Sequence, residues 1–183
     1  MNKKLVWTGI IGLSFTLAIL IGNYYYTHTA HDGICTYNPT SDRAFILQLF
    51  KKNWHWLVSE YSTDFSAEYM LDNKASSQSP EHNNNLSLMV YRVDNKPVGF
   101  TAYYQKSFYM GFILFLVVDE EHRKSGYASK LLDYGIQDLF NRGCTVIQLI
   151  TRVSNIRAQS LYKKHGFVEI WRDEEFVRFE KTR

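Results

Sequence analysis

The sequence predicts an α/β domain of the α+β kind. It should hold a mixed, mostly antiparallel sheet of about seven strands flanked by about four helices, preceded by one N-terminal transmembrane helix. Three observations carry this. Apolar patterns read in the order strand, helix or helices, three strands, helix, strand, helix, two strands. Strands joined by short turns come first and strand–helix–strand crossovers later, which mixes antiparallel with parallel pairing. Ahead of all of them, Leu5 to Tyr26 contains no charged residue.

The N-terminal run is mostly apolar from Leu5 to Gly22. As a helix, a run of that size spans roughly 30 Å, about the thickness of a hydrocarbon core. Lys3 and Lys4 precede it, and Tyr24, Tyr25 and Tyr26 follow as an interfacial belt. A helix of an ordinary globular domain keeps a polar face, and so long a charge-free run without one argues against a core helix. A cleavable signal peptide stays open as the alternative to an uncleaved anchor. Its apolar core would be shorter, however, and the best cut, after Ala30, has His28 at the third position back. The organisation expected is therefore an anchor over 1–22, a spacer over 23–33 and one domain over 34–183. The positive-inside rule keeps Lys3 and Lys4 in the cytoplasm, but Arg43, Lys51 and Lys52 oppose that bias.

"ICTYNPT" (34–40) reads as a short strand ending at an Asn38-Pro39 breaker, with Ser41 or Asp42 as helix cap. Phe45, Ile46, Leu49, Phe50, Trp54 and Leu57 recur at helical spacing and form a core face. A second helical piece covers Ser66 to Leu71. The polar stretch from Asp72 to Asn85 is a loop by composition. Three strands follow: Leu86 to Val93, a turn at Asn95–Pro97, Val98 to Gln105, then Ser107 to Val118. The third is apolar almost throughout and so central in the sheet. Leu131, Leu132, Ile136, Leu139 and Phe140 mark a helix that ends at Asn141-Arg142-Gly143. A buried strand over Cys144 to Thr151, a helix from Ile156 to His165 stopped by Gly166, and an antiparallel pair complete the chain.

Composition excludes several classes. Of 183 residues, 45% are apolar and 21% charged, which is ordinary for a globular protein. A net charge of +3 without a dense basic stripe implies no nucleic-acid partner. Cys35 and Cys144 lack metal-ligand spacing, and none of the six histidines forms an i, i+4 pair, so no metal site is expected. One bridge or two free thiols both fit the two cysteines.

Two stretches carry chemistry. "HRKSGYA" (122–128) leaves the central strand and opens a helix. A strand end, a turn and a helix start leave backbone N–H groups unpaired and the positive end of the helix dipole exposed, which suits an anion. Gly126 lets the backbone approach closely, Ala128 keeps the next turn small, and Arg123 and Lys124 add positive charge. Neither the dinucleotide G-x-G-x-x-G spacing nor a Walker A glycine is present. The second stretch, "SNIRAQSLYKKHGF" (154–167), has Ser154 or Asn155 as a cap, a small Ala158, then Leu161, Tyr162 and a terminating Gly166.

Taken together, these residues resemble the GNAT superfamily of acyl-CoA N-acyltransferases, over about Ile34 to Thr182. Arg123-Lys124-Ser125-Gly126-Tyr127-Ala128 is similar to its R/Q-x-x-G-x-G/A pyrophosphate loop. The run Asn155-x-x-Ala158-x-x-Leu161-Tyr162-x-x-x-Gly166-Phe167 is similar to its second cofactor motif. The resemblance implies acetyl-CoA as cosubstrate and an amine as acceptor. The pyrophosphate would lie on the N–H groups from Arg123 to Ala128. The pantetheine would run along Leu116, Val117 and Val118, through a splay beside the strand at Val146 to Ile150. A backbone N–H near Val117 or Val118 would polarise the thioester carbonyl. Asn155, Ala158 and Tyr162 would complete the cofactor wall, with Tyr162 as proton source for the departing thiolate. A cofactor-binding module without turnover would share all of these features.

The resemblance gives no general base. Asp119, Glu120 and Glu121 read as a solvated acidic turn, Glu81 and His82 sit in the polar loop, and the central strand offers no carboxylate. Because acyl-CoA is made in the cytosol, the domain is expected on that face of the membrane.

Overall fold

The computed structural model describes residues 32–58, 64–73 and 86–183. The expected anchor, most of the spacer, and the loop carrying Glu81 and His82 lie outside the described residues. Among the described residues, no helix is long and apolar enough to cross a membrane.

Seven strands form one sheet, in the order β1 (Gly33–Thr36), β2 (Ser87–Val93), β3 (Lys96–Gln105), β4 (Met110–Val118), β5 (Val146–Arg152), β7 (Phe176–Thr182) and β6 (Val168–Arg172). Every neighbouring pair is antiparallel except β4–β5, which is parallel. Among the described residues four α-helices accompany the sheet: α1 (Pro39–Leu57), α2 (Ala67–Asn73), α3 (Tyr127–Asn141) and α4 (Ile156–Lys164). α3 is the crossover that a parallel neighbour requires.

The helices divide between the two faces of the sheet. Ile46, Leu49 and Phe50 of α1 and Met70 of α2 pack with Val90, Phe100, Phe115 and Val117 on one face. Leu132, Ile136 and Leu139 of α3 and Tyr162 of α4 pack with Ile113, Ile147, Leu149 and Phe179 on the other. Cys144 is buried in the second core and Cys35 sits on β1, and both are free thiols.

Two local expectations are corrected. α1 starts at Pro39, and its cap is Asn38, whose side chain accepts from the Thr40 N–H at 2.9 Å. Asn38-Pro39 begins the helix because a proline in its first turn is pre-set for helical φ and sacrifices no bond. Asp42 does not cap the helix: it is fully buried, accepts from the Asn38 N–H at 2.7 Å and pairs with Arg92. The β2–β3 turn is Asp94-Asn95 rather than Asn95–Pro97. Both residues have positive φ, 48° and 62°, as a two-residue hairpin with the twist of its strands demands.

One irregularity shapes everything that follows. Ala102 pairs with Phe115, but the next residue, Tyr103, pairs with Ile113, so Leu114 is an extra residue in β4. Phe115 and Val117 face α1 and α2, whereas Ile113, two residues before Phe115, faces α3. Strict alternation forbids that arrangement, and a bulge permits it. The parallel pairing of β4 with β5 runs from Met110–Val146 to Ile113–Leu149 and ends there, at the bulge. Past that point β5 continues against β7, while β4 from Phe115 to Val118 pairs, among the described residues, with β3 alone.

Candidate active site

A cleft of about 730 Å³ opens where β4 and β5 part. Leu114 to Val118 form one wall, Ile150 and Thr151 another, and the two helix starts after them close the rest. The cleft gathers Leu116, Val117, Val118, Arg123, Lys124, Gly126, Tyr127, Ala128, Asn155, Ala158 and Tyr162. Ser125 is exposed in the same loop but does not line the cleft. Two motifs about thirty residues apart in the chain thus meet across one gap.

The strand geometry decides which backbone groups face the opening. The Asp119 N–H donates to the Val98 carbonyl at 2.9 Å. Alternation then turns the Val117 backbone groups toward β3, and those of Leu116 and Val118 into the cleft. The Val118 carbonyl indeed lies on that side, accepting from Arg123 Nε at 3.2 Å.

The two helix N-termini differ in a telling way. At α4, Asn155 accepts from the Ala158 N–H at 3.2 Å and satisfies one of the orphan donors. At α3 the cap is Gly126, with φ 80° and no side chain to accept anything. The first N–H groups of α3 therefore have no intrahelical or capping acceptor beside a cleft. A Cβ at Gly126 would meet nothing within 4 Å, so the loop backbone there is open to a ligand. This arrangement fits a pyrophosphate: a concave run of N–H groups at the positive end of a helix dipole.

Arg123 lines the cleft and is also held by the protein. Its Nη2 donates to Asn53 Oδ1 at 3.0 Å while Nε holds Val118, so the side chain braces the loop against β4 and α1. Asn53 has non-helical φ and ψ (−119°, 19°) inside α1, where its Nδ2 donates to the Leu49 carbonyl at 2.9 Å. A second brace joins the two motif helices. His165 at the end of α4 makes contacts through Nδ1 to Asp133 Oδ1 at 2.7 Å and through Nε2 to Ser129 Oγ at 3.1 Å. The Arg123–Asn53 contact and both His165 contacts are invisible in the sequence, because each joins residues more than thirty positions apart.

Tyr162 lines the cleft from α4 and is 8% exposed. Burial away from water pushes its phenol up to about 12. The group is therefore protonated throughout the neutral range, as a hydrogen-bond donor in this position must be. Glu120 and Glu121 are exposed and absent from the cleft wall; Asp119 is half-buried, 3.6 Å from Lys52 Nζ. Among the described residues, no group of three or more His, Cys, Asp or Glu is arranged to hold a metal ion.

A smaller cleft of about 390 Å³ continues from the first through the gap at Leu114, Phe115, Ile150 and Thr151. Its outer walls are Trp56, Trp171, Phe176, Arg152 and Arg178. Among the described residues, no carboxylate or imidazole lines it.

The Asn155 cap is directly testable. Asn155→Ala should remove about 1 kcal/mol and lower Tm by roughly 2–4 °C, whereas Asn155→Asp, which can still cap, should restore most of it. Equal losses in the two variants would mean that the cap contributes nothing.

The comparisons agree with this geometry. Residues 46–167 match the acetyltransferase (GNAT) family. The human N-alpha-acetyltransferase 30 is 32% identical over 76 residues, which is 42% of this chain and 20% of that relative. The chain thus spans only about a fifth of that relative's length. Ard1 from Thermoplasma volcanium shares the fold with a TM-score of 0.63 at 24% identity, over 81% of this chain and 95% of that one. The PaiA N-acetyltransferase of Thermoplasma acidophilum, solved in complex with coenzyme A, gives 0.64 at 18% identity, over 84% and 99%. With two thirds of its length matched by the family, the chain belongs to the acetyltransferase (GNAT) family.

Proposed function

We propose that the protein transfers the acetyl group of acetyl-CoA to a primary amine by direct attack. One observation carries the reading: the uncapped α3 N-terminus, the unpaired edge of β4 and the buried phenol of Tyr162 all line one cleft, which opens into a second. The loop from Arg123 to Ala128 would hold the pyrophosphate. The edge of β4 at Leu116 and Val118 would pair with the pantetheine arm. Acetyl-CoA supplies an activated carbonyl at the gap.

There the amine nitrogen would attack the thioester carbon. The C–N bond forms, the C–S bond breaks, and the sulfur leaves as a thiolate. The N–H groups of Leu116 and Val118 are the donors turned toward the developing oxyanion, and Tyr162 donates to the sulfur. The amine must shed a proton, and among the described residues the acceptor cleft offers no base. Water is then the proton's destination. The expected pH profile of kcat/KM rises with unit slope up to the pKa of the acceptor amine and moves when acceptors of different basicity are compared. A rising limb at one fixed pH for every acceptor would instead reveal an enzyme base.

The acceptor amine belongs to a small molecule or a protein. The relatives matched in part are named as N-alpha-acetyltransferases, which favours an α-amine. Residues 5–22 are proposed to anchor the domain at the cytosolic face of a membrane, on the charge-free apolar run. Thiol release from acetyl-CoA over a panel of amines tests the activity, and protease protection in sealed vesicles tests the side.

A further inference from the structure

Among the described residues that line the acceptor cleft, Arg152 and Arg178 carry full charges, and one of the two is matched. Arg152 is 5% exposed; it donates to the Val58 carbonyl at 3.2 Å and pairs with Glu175. Glu180 accepts from Gln148 Nε2 at 2.8 Å, and Glu169 is held by Arg172 at 2.7 Å. Arg178 stands apart. Among the described residues it has no ion pair or hydrogen bond, and its Nε is buried without a partner. Its guanidinium lies 5.7 Å from the centroid of the Trp171 ring.

The cost of this arrangement asks for an explanation. A guanidinium has five N–H donors and cannot shed its proton. Leaving a buried donor unpaired forfeits the water it gave up, and the loss is larger for a charged group. A cation over an indole recovers part of that, but the ring uses none of the donors. The position is not incidental. Arg178 pairs across the sheet with Ile150, which lines both clefts, so its side chain stands one strand from the gap where the acetyl group must emerge. Around it the walls are Trp56, Trp171, Phe176 and Leu57.

We infer that Arg178 is a specificity residue that takes a carboxylate of the acceptor, so that the preferred substrate is an amine with an apolar or aromatic body and a carboxylate. This rests on the acetyltransferase reading above. The fork of the guanidinium matches a carboxylate bidentately, and half-shielded surroundings strengthen the pair relative to water. The same cation disfavours polyamines and other acceptors with a second positive charge, since no acid among the described residues of the cleft would receive it. A carboxylate can come from a free amino acid or from an acidic second residue of a peptide, and the two sources are separable.

Two pairs of acceptors differ in that group alone: phenylalanine against phenylalaninamide, and Phe-Asp-amide against Phe-Asn-amide. Rates of thiol release by the full-length protein are compared per unprotonated amine, because the amide lowers the amine's own pKa. At least one acid should exceed its amide by roughly 10- to 100-fold in kcat/KM. The pair showing this identifies the source. In Arg178→Gln the ratio should fall to near 1, and Arg178→Lys should keep only part of it; unchanged acetyl-CoA affinity in both variants certifies their fold. A ratio near 1 for both pairs in the wild type, or a ratio that survives Arg178→Gln, overturns the inference. If no amine releases thiol, the acetyltransferase reading fails on its own. The site is then read by calorimetry with N-acetylphenylalanine and its amide in the presence of CoA. Binding of the acid alone, lost in Arg178→Gln, supports the carboxylate site, and equal or absent binding of both overturns it.

Discussion

Gly126→Asp is expected to abolish acetyl-CoA binding, with charge repulsion alone lowering affinity by roughly two to three orders of magnitude. Gly126 sits at φ 80° as the residue before α3, a left-handed backbone that aspartate tolerates better than most residues, and a Cβ there would meet no atom of the protein within 4 Å. The variant should therefore fold. Its carboxylate would stand where a pyrophosphate must lie, and two like charges a few ångströms apart at a partly shielded surface repel by about 4 kcal/mol. Gly126→Asn separates charge from shape. Asparagine tolerates left-handed backbone about as well as aspartate and adds the same bulk, so it should cost less than about tenfold. Calorimetric titration with acetyl-CoA measures both. Equal losses would assign the effect to bulk, and retained affinity in the Asp variant would remove the pyrophosphate from this loop.

Tyr162→Phe should act on turnover instead of binding. Its ring fills space beside Phe167 and Phe179, and phenylalanine keeps that packing. What disappears is one O–H. Burial holds the phenol at about 12, well above an ordinary thiol near 8.5, so complete transfer to the thiolate runs uphill. On the proposed mechanism Tyr162 would donate a hydrogen bond as charge builds on sulfur, and bulk water would supply the proton that stays. The expected fall in kcat is roughly 10- to 100-fold, with acetyl-CoA affinity within about threefold. No ionisation of Tyr162 should show in the rate profile through the neutral range. An unchanged kcat would leave the ring as packing alone.

The features legible in the sequence are those written in local chemistry. The loop from Arg123 to Ala128 announces itself because a glycine and two cations interrupt an apolar strand and a helical period. Ser154 and Asn155 are both caps by residue type, and the structure assigns the role to Asn155. The element order is readable because each amphipathic segment has its own period. The bulge at Leu114 is not, since "FILFLVV" is apolar on both faces and gives no alternation to break. The splay it produces is expected only through the family resemblance. The start of α1 is misread because Asn38-Pro39 marks a turn or a helix start with the same letters. Arg178 is invisible for a different reason: its meaning comes from Ile150 beside it and Trp171 over it, and register across strands is not written in either segment alone.

The central claim is that an amine entering the smaller cleft takes the acetyl group directly from a thioester held in the larger one. The measurement closest to it is simultaneous detection of free CoA thiol and acetylated amine when the full-length protein is given acetyl-CoA and an α-amine. Direct transfer predicts equal amounts of the two products, appearing together from the first turnover and absent in Gly126→Asp. Tight acetyl-CoA binding with no thiol released above the amine-free background, for any acceptor, would contradict it.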